Sequence, residues 1–251
     1  MPHERLYTDL ADLWPLLSPP EHYVSEAAVL RKLLEERLPT AHSLLELGAG
    51  GGHTLCHLRD AYECVAVDLS EAMLANCRAL NPGVEAIVGD MRDVRLDRTF
   101  DAVLIHDAID YMLSADELRR TLDTAAAHLA PGGLAFIAPT YLCETFTNHE
   151  TEHDQRTAGD RTLTYLGYVH DPDPGDTTFE LILTYLINDA GELRIEHDRH
   201  TCGLFDEPAW QRLMEEAGFD VDRYHPADDE PDWPLFVGAR TGGSAIHRST
   251  V

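Results

Sequence analysis

Glycines and acidic residues stand at the ends of several short apolar stretches of this chain. The first apolar stretch, residues 43–47, contains Glu46 and runs directly into the sequence Gly48-Ala49-Gly50-Gly51-Gly52. Glycine adopts left-handed backbone conformations readily and lets a ligand approach the main chain where a Cβ atom would collide. A helix that begins near residue 53 would add unpaired N–H groups at its first turn. The stretch therefore predicts a strand, a turn and a helix start that together hold an electron-rich ligand.

The spacing of the glycines limits the kind of ligand. Gly48, Gly50 and Gly52 follow the pattern G-x-G-x-G, whereas a dinucleotide-binding turn requires G-x-G-x-x-G. The sequence G-x-x-x-x-G-K-[ST] does not occur at this turn, which excludes a P-loop there. Taken alone, the pattern E-x-G-x-G-x-G that begins at Glu46 also allows a glycine-rich turn that binds nothing.

Polar residues follow three further apolar stretches in the same way. Asp68 follows residues 63–67, Asp90 and Met91 follow residues 84–88, and the sequence His106-Asp107-Ala108-Ile109-Asp110-Tyr111 follows residues 101–105. The carboxyl ends of parallel strands meet at one edge of a sheet, where ligands bind. A carboxylate there can accept two hydrogen bonds from the vicinal hydroxyls of a ribose. These residues are therefore predicted to line one site, although any single acid could equally be a solvated loop residue.

The elements that would position these residues alternate between strand and helix. Strands are predicted at residues 43–47, 63–67, 84–88, 101–105, 134–138, 219–224 and 235–240, and helices at 52–60, 70–80, 114–129 and 207–217. Alternation of apolar strands with helices is typical of a parallel sheet with right-handed crossovers and helices on both faces. The predicted fold class is α/β, with a doubly wound, mostly parallel, seven-stranded Rossmann-like sheet.

Two segments fall outside this alternation. Long stretches with partial alternation at 163–170, 178–188 and 193–201 predict an antiparallel β insertion after strand five. Helices predicted at 6–14 and 25–38 form an N-terminal helical cap. The predicted domains are the cap at 1–40, the core at 41–139 and 203–240, the insertion at 140–202 as a substrate or oligomer lid, and a loose tail at 241–251. An exposed edge of the insertion could pair two subunits in a homodimer.

The composition restricts the partners of the protein. The chain has 251 residues and a formal net charge of −26, and such a surface repels the phosphates of nucleic acids and of anionic membranes. No apolar run is long enough to span a bilayer, and residues 1–10 lack the apolar core of a signal peptide. Five cysteines without C-x-x-C spacing indicate reduced thiols. We therefore expect a cytoplasmic protein that binds neither nucleic acid nor membrane.

The ordered set of motifs from Leu44 to Ala138 resembles the class I S-adenosylmethionine (SAM)-dependent methyltransferases. LLELGAGGG resembles the first motif of that family, VAVDLS (65–70) the acidic motif after strand two, and VGDMRD (88–93) the adenine motif. FDAVLIHDAIDYM (100–112) and LAPGGLAFIA (129–138) resemble the motifs at strands four and five. The N-terminal YTDLADLW and the insertion resemble the branch with glycine-type and nucleotide-amino-sugar N-methyltransferases, with Thr8 where that branch has aspartate and Trp14 where it has tyrosine.

The resemblance implies that SAM is the cofactor. The glycine turn would contact the methionine part of SAM. Asp68, after strand two, would hold the ribose, and Asp90, after strand three, would hold the adenine. Two tyrosines of the cap would close over the cofactor. The backbone of His106 would face its amino group. The cofactor-binding residues that the resemblance assigns are Tyr7, Tyr23, Glu46, Gly48, Ala49, Gly50, Asp68, Leu69, Asp90, Met91 and His106.

The resemblance also implies an in-line displacement at the sulfonium methyl group. Because the leaving group becomes neutral, alignment of the acceptor supplies most of the rate, and a general base could help to present a neutral amine or an oxyanion. The catalytic candidates are His106, Asp107 and Tyr111, with Asp110 beside them, and Tyr141, His197 and His200 could reach in from the insertion. The predicted acceptor is a small molecule with an amine nitrogen, such as an amino sugar or an amino-acid-like compound. An O-methyltransferase of a small natural product and a catalytically silent SAM-binding protein stay open as alternatives.

A competing pattern occurs in the insertion. His149-Glu150-Thr151-Glu152-His153 matches H-E-x-x-H, in which two imidazoles on one face of a helix bind zinc. The segment lacks the apolar context of such a helix, and its acidic neighbours predict a solvated loop. A zinc hydrolase is therefore the less favoured alternative, and no metal ligand is predicted.

Overall fold

The computed structural model describes residues 4–227 and 233–241 of the chain. The loose tail predicted for 241–251 lies outside these residues, apart from Thr241. The strands are β1 (Ser43–Leu47), β2 (Glu63–Asp68), β3 (Glu85–Val88), β4 (Phe100–His106), β5 (Leu129–Ala138), β6 (Thr151–Ala158), β7 (Arg161–His170), β8 (Thr178–Asp189), β9 (Glu192–Gly203), β10 (Phe219–Tyr224) and β11 (Leu235–Arg240). The α-helices are α1 (Trp14–Leu17), α2 (Val24–Arg37), α3 (Leu55–Leu58), α4 (Glu71–Leu80), α5 (Ala115–Ala127) and α6 (Glu207–Glu216).

The central sheet has seven strands in the order β10-β11-β5-β4-β1-β2-β3. The strands from β5 to β3 run parallel, and β11 joins β5 in the antiparallel direction. The strand order reverses at β1, which lies between β4 and β2, and ligands bind at such a point in open sheets. The predicted fold class, a doubly wound and mostly parallel sheet with a β insertion, is therefore confirmed.

Helices cover both faces of the central sheet, so its strands are buried on both sides. Leu44 of β1 packs in an apolar layer with α2, α3 and α4, whereas Leu45 and Leu47 pack on the other face with α5 and α6. Successive side chains of a strand point to opposite faces, so each layer receives every second residue. Glu46 is an acid on the face of Leu44, and only 3% of it is exposed. A buried carboxylic acid at this place is costly and indicates a functional site.

The insertion forms a second, antiparallel sheet in the order β6-β7-β8-β9. The stretches predicted at 163–170, 178–188 and 193–201 correspond to β7, β8 and β9. One face of this sheet packs on the N-terminal segment through a shared apolar cluster that contains Leu6, Leu10, Leu13, Leu163, Leu183, Tyr185 and Ile187. The cap and the insertion therefore hold each other beside the carboxyl edge of the central sheet.

The solvated loop predicted around residues 149–153 is wrong from Thr151 onwards, because β6 begins there. The sequence of β6 carries no apolar alternation, since this edge strand exposes most of its side chains on both faces. Its pairing with β7 depends on main-chain hydrogen bonds, which leave no signature in the side-chain pattern.

The single helix predicted at 6–14 is also wrong. The segment forms two 3-10 turns, Arg5–Tyr7 and Ala11–Leu13, before the single turn of α1. The segment is bonded to the core instead: the carbonyl of Tyr7 accepts from Ser70 Oγ, and that of Ala11 accepts from Asn76 Nδ2 at 2.7 Å. The apolar residues of the segment are nevertheless buried as expected.

The helix predicted at 52–60 is shorter than expected. Gly52 has a φ of 70°, a left-handed conformation that no α-helix contains, and α3 covers only Leu55–Leu58. The helix expected to begin at the glycine turn therefore begins three residues after Gly52. No helix within residues 4–227 and 233–241 has the length and the apolar character of a membrane span.

Candidate active site

One cavity of about 910 Å³ lies at the carboxyl ends of β1, β2 and β4, with the N-terminal segment and the insertion sheet as its outer walls. All the residues assigned above to the cofactor and the three main catalytic candidates line this cavity: Tyr7, Tyr23, Glu46, Gly48, Ala49, Gly50, Asp68, Leu69, Asp90, Met91, His106, Asp107 and Tyr111. Residues that are distant in sequence thus meet in one place. Their individual roles stay predictions.

The turn after β1 is fastened to β2 by its own main chain. The N–H groups of Gly48 and Ala49 both donate to the carbonyl of Val67, at 2.8 and 3.0 Å. Gly48 has a φ of 74°, and a Cβ atom there would overlap the Cβ of Ala108 in the loop after β4. Glycine is therefore required at this position both for its conformation and for the close approach of two loops.

The carboxylate of Asp68 holds the glycine turn from the end of β2. Its Oδ2 accepts from the N–H of Gly50 at 2.7 Å, and its Oδ1 accepts from the N–H of Ser70 at 2.8 Å. Burial raises the pKa of Asp68. Each carboxylate oxygen can accept further hydrogen bonds, so Asp68 can hold the turn and still receive two hydroxyl groups from the cavity, as a ribose would supply.

Asp90, after β3, is fixed by a neighbouring guanidinium. Its Oδ2 accepts from Nη2 of Arg92 at 2.7 Å, and Nη1 of Arg92 donates to Glu117 at 2.6 Å. The hydrogen bonds from Arg92 lower the pKa of Asp90. Met91 Sδ lies 3.7 Å from the position of a Cβ atom at Gly48, so a polarizable thioether lies beside the turn. An anchored carboxylate next to a methionine suits the amine edge and the ring of an adenine.

Glu46 and His106 lie under the turn with little of either side chain exposed. Burial raises the pKa of Glu46 to about 8, and its Oε2 has no hydrogen-bond partner within the described chain. Burial acts to lower the pKa of His106, but the carboxylates of Asp107, Glu26 and Glu46 outweigh it and raise that pKa to about 9. Nε2 of His106 lies 3.2 Å from Glu26, and Nδ1 lies 3.3 Å from Asp107. An unpartnered acidic oxygen at the cavity wall suits the ammonium group of an amino-acid ligand.

The two tyrosines of the cap close the cavity from outside. The hydroxyl groups of Tyr23 and Ser18 are 2.8 Å apart, and the Tyr23 ring centre lies 6.0 Å from that of His106. The ring of Tyr7 packs edge-on against Tyr111, with 5.6 Å between the ring centres. Both tyrosines therefore line the cavity, and their contact with a cofactor stays a prediction.

A chain of hydrogen bonds runs from Tyr7 to Asp198. The hydroxyl groups of Tyr7 and Tyr111 are 2.8 Å apart, and the Tyr111 hydroxyl lies 2.7 Å from Nδ1 of His200. Nε2 of His200 lies 2.9 Å from Oδ2 of Asp198, which also accepts from the N–H of Leu6 at 2.7 Å. Burial acts to raise the pKa of Asp198, but the hydrogen bonds from His200 and Leu6 outweigh it and lower that pKa. Asp198 is therefore ionised and holds the imidazole.

Sequence reasoning did not select Asp198, although a signal for it exists. Asp198 and His200 are two residues apart in a strand, which places both side chains on one face. His197 was a candidate and is not in the cavity: it is exposed and lies 3.1 Å from the hydroxyl of Thr184. Since His197 is three residues from His200 in β9, it points to the opposite face. Tyr141 and His200, the other two candidates from the insertion, do line the cavity.

Two further acids face the cavity from the loop after β4. Asp107 has a φ of 44°, which is rare for a residue other than glycine and is often kept for a functional reason. Asp110 is buried, accepts from the N–H of Thr140 at 3.1 Å, and has its pKa raised to about 8 by burial. The carboxylates of Asp107 and Asp110 therefore lie on the wall next to the insertion sheet.

The H-E-x-x-H segment does not form the helix that its zinc pattern requires. His149 has a φ of 70°, its ring stacks on Tyr168 and His170, and His153 lies in β6. No cluster of three or more histidine, cysteine or acidic side chains suited to a metal ion occurs in the part of the chain that the structure describes.

Comparison with known proteins agrees with this geometry. Residues 44–133 match the family of methyltransferase domains. The chain is 30% identical over 219 residues to a dTDP-3-amino-3,4,6-trideoxy-alpha-D-glucopyranose N,N-dimethyltransferase of Streptomyces venezuelae, covering 85% of this chain and 91% of that protein. The crystal structure of Streptomyces venezuelae DesVI is similar with a TM-score of 0.82 and 28% identity, covering 94% of this chain and 98% of that one. The structure of SAM-bound CalS10, an amino pentose methyltransferase from Micromonospora echinaspora, is similar with a TM-score of 0.77 and 26% identity, covering 87% of this chain and 92% of the CalS10 chain.

Proposed function

The chain belongs to the class I SAM-dependent methyltransferases, and we propose that it methylates an amine nitrogen of an amino sugar or a similar polar small molecule. SAM is its cofactor, and a small molecule is its methyl acceptor. The amine is supported by the relatives, whose names specify N-methylation or an amino sugar.

The observation that carries the proposal is the continuity of one cavity. The cavity extends from the glycine turn and the acids Asp68 and Asp90 to the aromatic and histidine side chains of the insertion. A cofactor held at the first end and an acceptor held at the second would lie in one continuous space, which allows the in-line alignment that the displacement requires.

We assign the cofactor-binding residues to the first end of the cavity. Glu46 and the main chain of Gly48, Ala49 and Gly50 hold the methionine part, and the backbone of His106 faces its amino group. Asp68 and Leu69 hold the ribose, and Asp90 and Met91 hold the adenine. Tyr7 and Tyr23 close this end from outside. The remaining hydrogen-bonding capacity of Asp68, each of whose oxygens accepts one main-chain hydrogen bond, and the unpartnered oxygen of Glu46 support the assignment.

SAM supplies an electrophilic methyl group on a sulfonium, so the chain has to align the acceptor and remove a proton from its nitrogen. Tyr7 receives that proton while its own hydroxyl proton passes to Tyr111, and the Tyr111 proton passes to Nδ1 of His200. The imidazolium that results lies 2.9 Å from the carboxylate of Asp198. This direction of transfer follows because Asp198 accepts from Nε2, which leaves Nδ1 as the acceptor of the pair.

The remaining catalytic candidates take different parts. His106 has carboxylates at both ring nitrogens, 3.2 and 3.3 Å away, so it lacks the free lone pair of a general base and acts as a charged positioning group. Asp107 opens into the cavity and attracts the ammonium form of the acceptor before it loses its proton.

Formation of S-adenosylhomocysteine (SAH) and the mass of the product test the proposal. The purified protein is incubated with SAM and with separate amino sugars, amino acids and phenols. We expect SAH and a methylated product from amines, and tight SAH binding that Asp68→Ala removes. A methylated phenol with no methylated amine would favour the O-methyltransferase alternative. SAH binding without any methylated product would favour the silent binding protein.

We also propose that two copies of the chain pair through the outer face of the insertion sheet. Leu166, Leu186, Leu193 and Ile195 are between 38% and 64% exposed. Leu186 lies directly opposite Ile195 in neighbouring strands, and alternation along the strands places all four on the face away from the N-terminal segment. An exposed aliphatic patch of this kind commonly marks an interface.

Light scattering after size-exclusion chromatography tests the dimer. We expect a dimer for the natural chain and a monomer for Leu186→Glu with Ile195→Glu. Val88→Glu is the matched control, because Val88 is 53% exposed at the end of β3 in the other sheet. A monomeric natural chain would contradict this interface.

We further propose a cytoplasmic location, which the five free thiols support because disulfides are rare there.

A further inference from the structure

The end of the cavity that faces the insertion sheet is lined by carboxylates from two distant parts of the chain. Asp107 and Asp110 reach it from the loop after β4, and Glu150 and Glu152 reach it from the start of β6. We call the space between these four acids and Tyr141 the acceptor pocket. Side chains from separate elements meet there through the fold, beside the cofactor end of the same cavity.

Glu152 is fitted closely to the wall of the acceptor pocket. It lies opposite Gly167 of β7, and a Cβ atom at Gly167 would come within 2.9 Å of Cγ of Glu152. The missing side chain at position 167 therefore lets the glutamate lie across the neighbouring strand. The cavity wall raises the pKa of Glu152 by withdrawing water from it, and Glu150 adds to that shift. A bound cation would relieve both effects.

The cationic side chains that line the cavity are already engaged by acids. Arg92 lies at the cofactor end and donates to Asp90 and Glu117. Arg199 donates to Glu180 at 3.0 Å. Within residues 4–227 and 233–241, no other arginine or lysine lines the cavity. Proteins bind a diphosphate with arginine forks or lysines, and among the described residues the cavity wall near the acceptor pocket offers only Arg199, which is already bound to Glu180.

We propose that the acceptor is a cationic amine that carries no phosphate or diphosphate group, such as an amino sugar that is not linked to a nucleotide. This inference rests on the proposed function, since it names the class of amine that the same site methylates. Asp107 is paired with His106, and burial keeps Asp110 mostly protonated at pH 7, so the two glutamates of the pocket carry the electrostatic effect. Their carboxylates attract a protonated amine and repel a nucleoside diphosphate. The chain thereby differs from its relative in Streptomyces venezuelae, whose name specifies a dTDP-linked sugar.

A matched pair of ligands tests the charge of the acceptor. Calorimetry with the SAH-bound protein compares 3-amino-3,6-dideoxyglucose with the same sugar linked to dTDP. We expect the free sugar to bind at least about ten-fold more tightly, and its binding to weaken as salt is added. dTDP alone should not compete with it. Tighter binding of the dTDP-linked sugar, or competition by dTDP, would overturn the proposal.

Variants of one acid locate the effect in the acceptor pocket. Glu152→Gln should weaken binding of the free sugar by about five-fold, and Glu152→Lys should also strengthen binding of the dTDP-linked sugar. Glu192→Gln is the matched control, since Glu192 lies at the exposed start of β9 and does not line the cavity. SAH binding should stay unchanged in all three variants, which shows that they fold. Equal affinities of the natural chain and Glu152→Lys for both ligands would contradict the role of Glu152 and the charge argument.

The two proposals fail in different ways. If SAH forms faster from the dTDP-linked sugar than from the free sugar, the chain is an N-methyltransferase and the inference about charge is overturned. If the free sugar binds more tightly but no SAH forms with any amine, the charge inference is supported and the proposed function is contradicted.

Discussion

Glu46 provides the sharpest test of how the cavity binds its cofactor. Glu46 lies between Ala66 of β2 and Leu104 of β4, and only 3% of it is exposed. Its carboxylate therefore has little water around it. Burial raises its pKa to about 8, which makes the acid mostly neutral at pH 7. If Glu46 receives the ammonium group of SAM or SAH, it has to be ionised in the complex. Binding must then release a proton.

The size of the effect follows from the pKa. Each unit by which the pH falls below 8 should weaken SAH binding by about ten-fold, or about 1.4 kcal/mol, because deprotonation of Glu46 is part of the binding reaction. We expect release of nearly one proton at pH 7. Calorimetry in buffers with different enthalpies of ionisation measures that number directly. Glu46→Gln should bind SAH more weakly and release no proton.

The same pKa predicts the effect of Glu46 on stability. The folded chain holds the proton between pH 4.5, the ordinary value of the acid, and pH 8, whereas the unfolded chain does not. Unfolding therefore releases a proton in this window, and the stability contributed by this group falls as the pH rises through it. At pH 7, Glu46→Gln should raise the free energy of unfolding by about 1–3 kcal/mol. The melting temperature should rise by about 2–4 °C for each kcal/mol gained.

A more stable protein that binds its cofactor less well is the combined result expected for Glu46→Gln. Glu63→Gln, at the exposed start of β2, is the control and should change neither property. SAH binding that releases no proton and does not vary between pH 6 and 8 would refute the assignment of Glu46 to the ammonium group. A destabilised Glu46→Gln with unchanged SAH binding would show that the acid is structural.

Three further predictions address the turn and the proton path. Gly48→Ala should abolish SAH binding, since the new Cβ would overlap Ala108. Gly83→Ala is the control: Gly83 has a φ of 93°, and a Cβ atom there would meet no atom within 4 Å. This control should lower the free energy of unfolding by only about 1 kcal/mol, as measured in a thermal melt. Asp68→Asn can keep only one of its two main-chain hydrogen bonds, and we expect SAH affinity to fall about ten-fold or more by calorimetry. His200→Asn should lower kcat about ten-fold at pH 7, with the difference from the natural chain narrowing above the pKa of the amine, and a constant ratio across pH would contradict the relay.

The parts of the fold that the sequence predicted are those in which side-chain pattern and structure coincide. β1, β10 and β11 occur at the expected residues. β1 is a buried parallel strand and reads as an apolar run, whereas β10 and β11 follow turns that contain glycine or proline. The acids at the strand ends were found for the same reason. Once the strands are placed, the residue that follows each one must lie at the carboxyl edge of the sheet.

The parts that could not be predicted depend on main-chain groups or on distant partners. β6 is held to its neighbour by its backbone and has polar side chains on both faces, so its sequence resembles that of a loop. Asp198 could be placed on a strand from its sequence, but its partner Leu6 is 192 residues away. The strained φ of Asp107 likewise arises from packing, and nothing in the sequence marks it.

The irregular N-terminal segment explains how two parts of the fold close one cavity. Three consecutive residues bind the insertion and the loop after β4: Arg5 lies 2.8 Å from Glu196, the N–H of Leu6 donates to Asp198, and Tyr7 meets Tyr111. The carbonyl of Tyr7 accepts from Ser70 at the start of α4 in the core. In a regular helix from 6 to 14, that carbonyl would accept from the N–H of Ala11, which here donates to the carbonyl of Thr8 instead. The departure from helical geometry is therefore what allows one short segment to join the core and the insertion around the proton path.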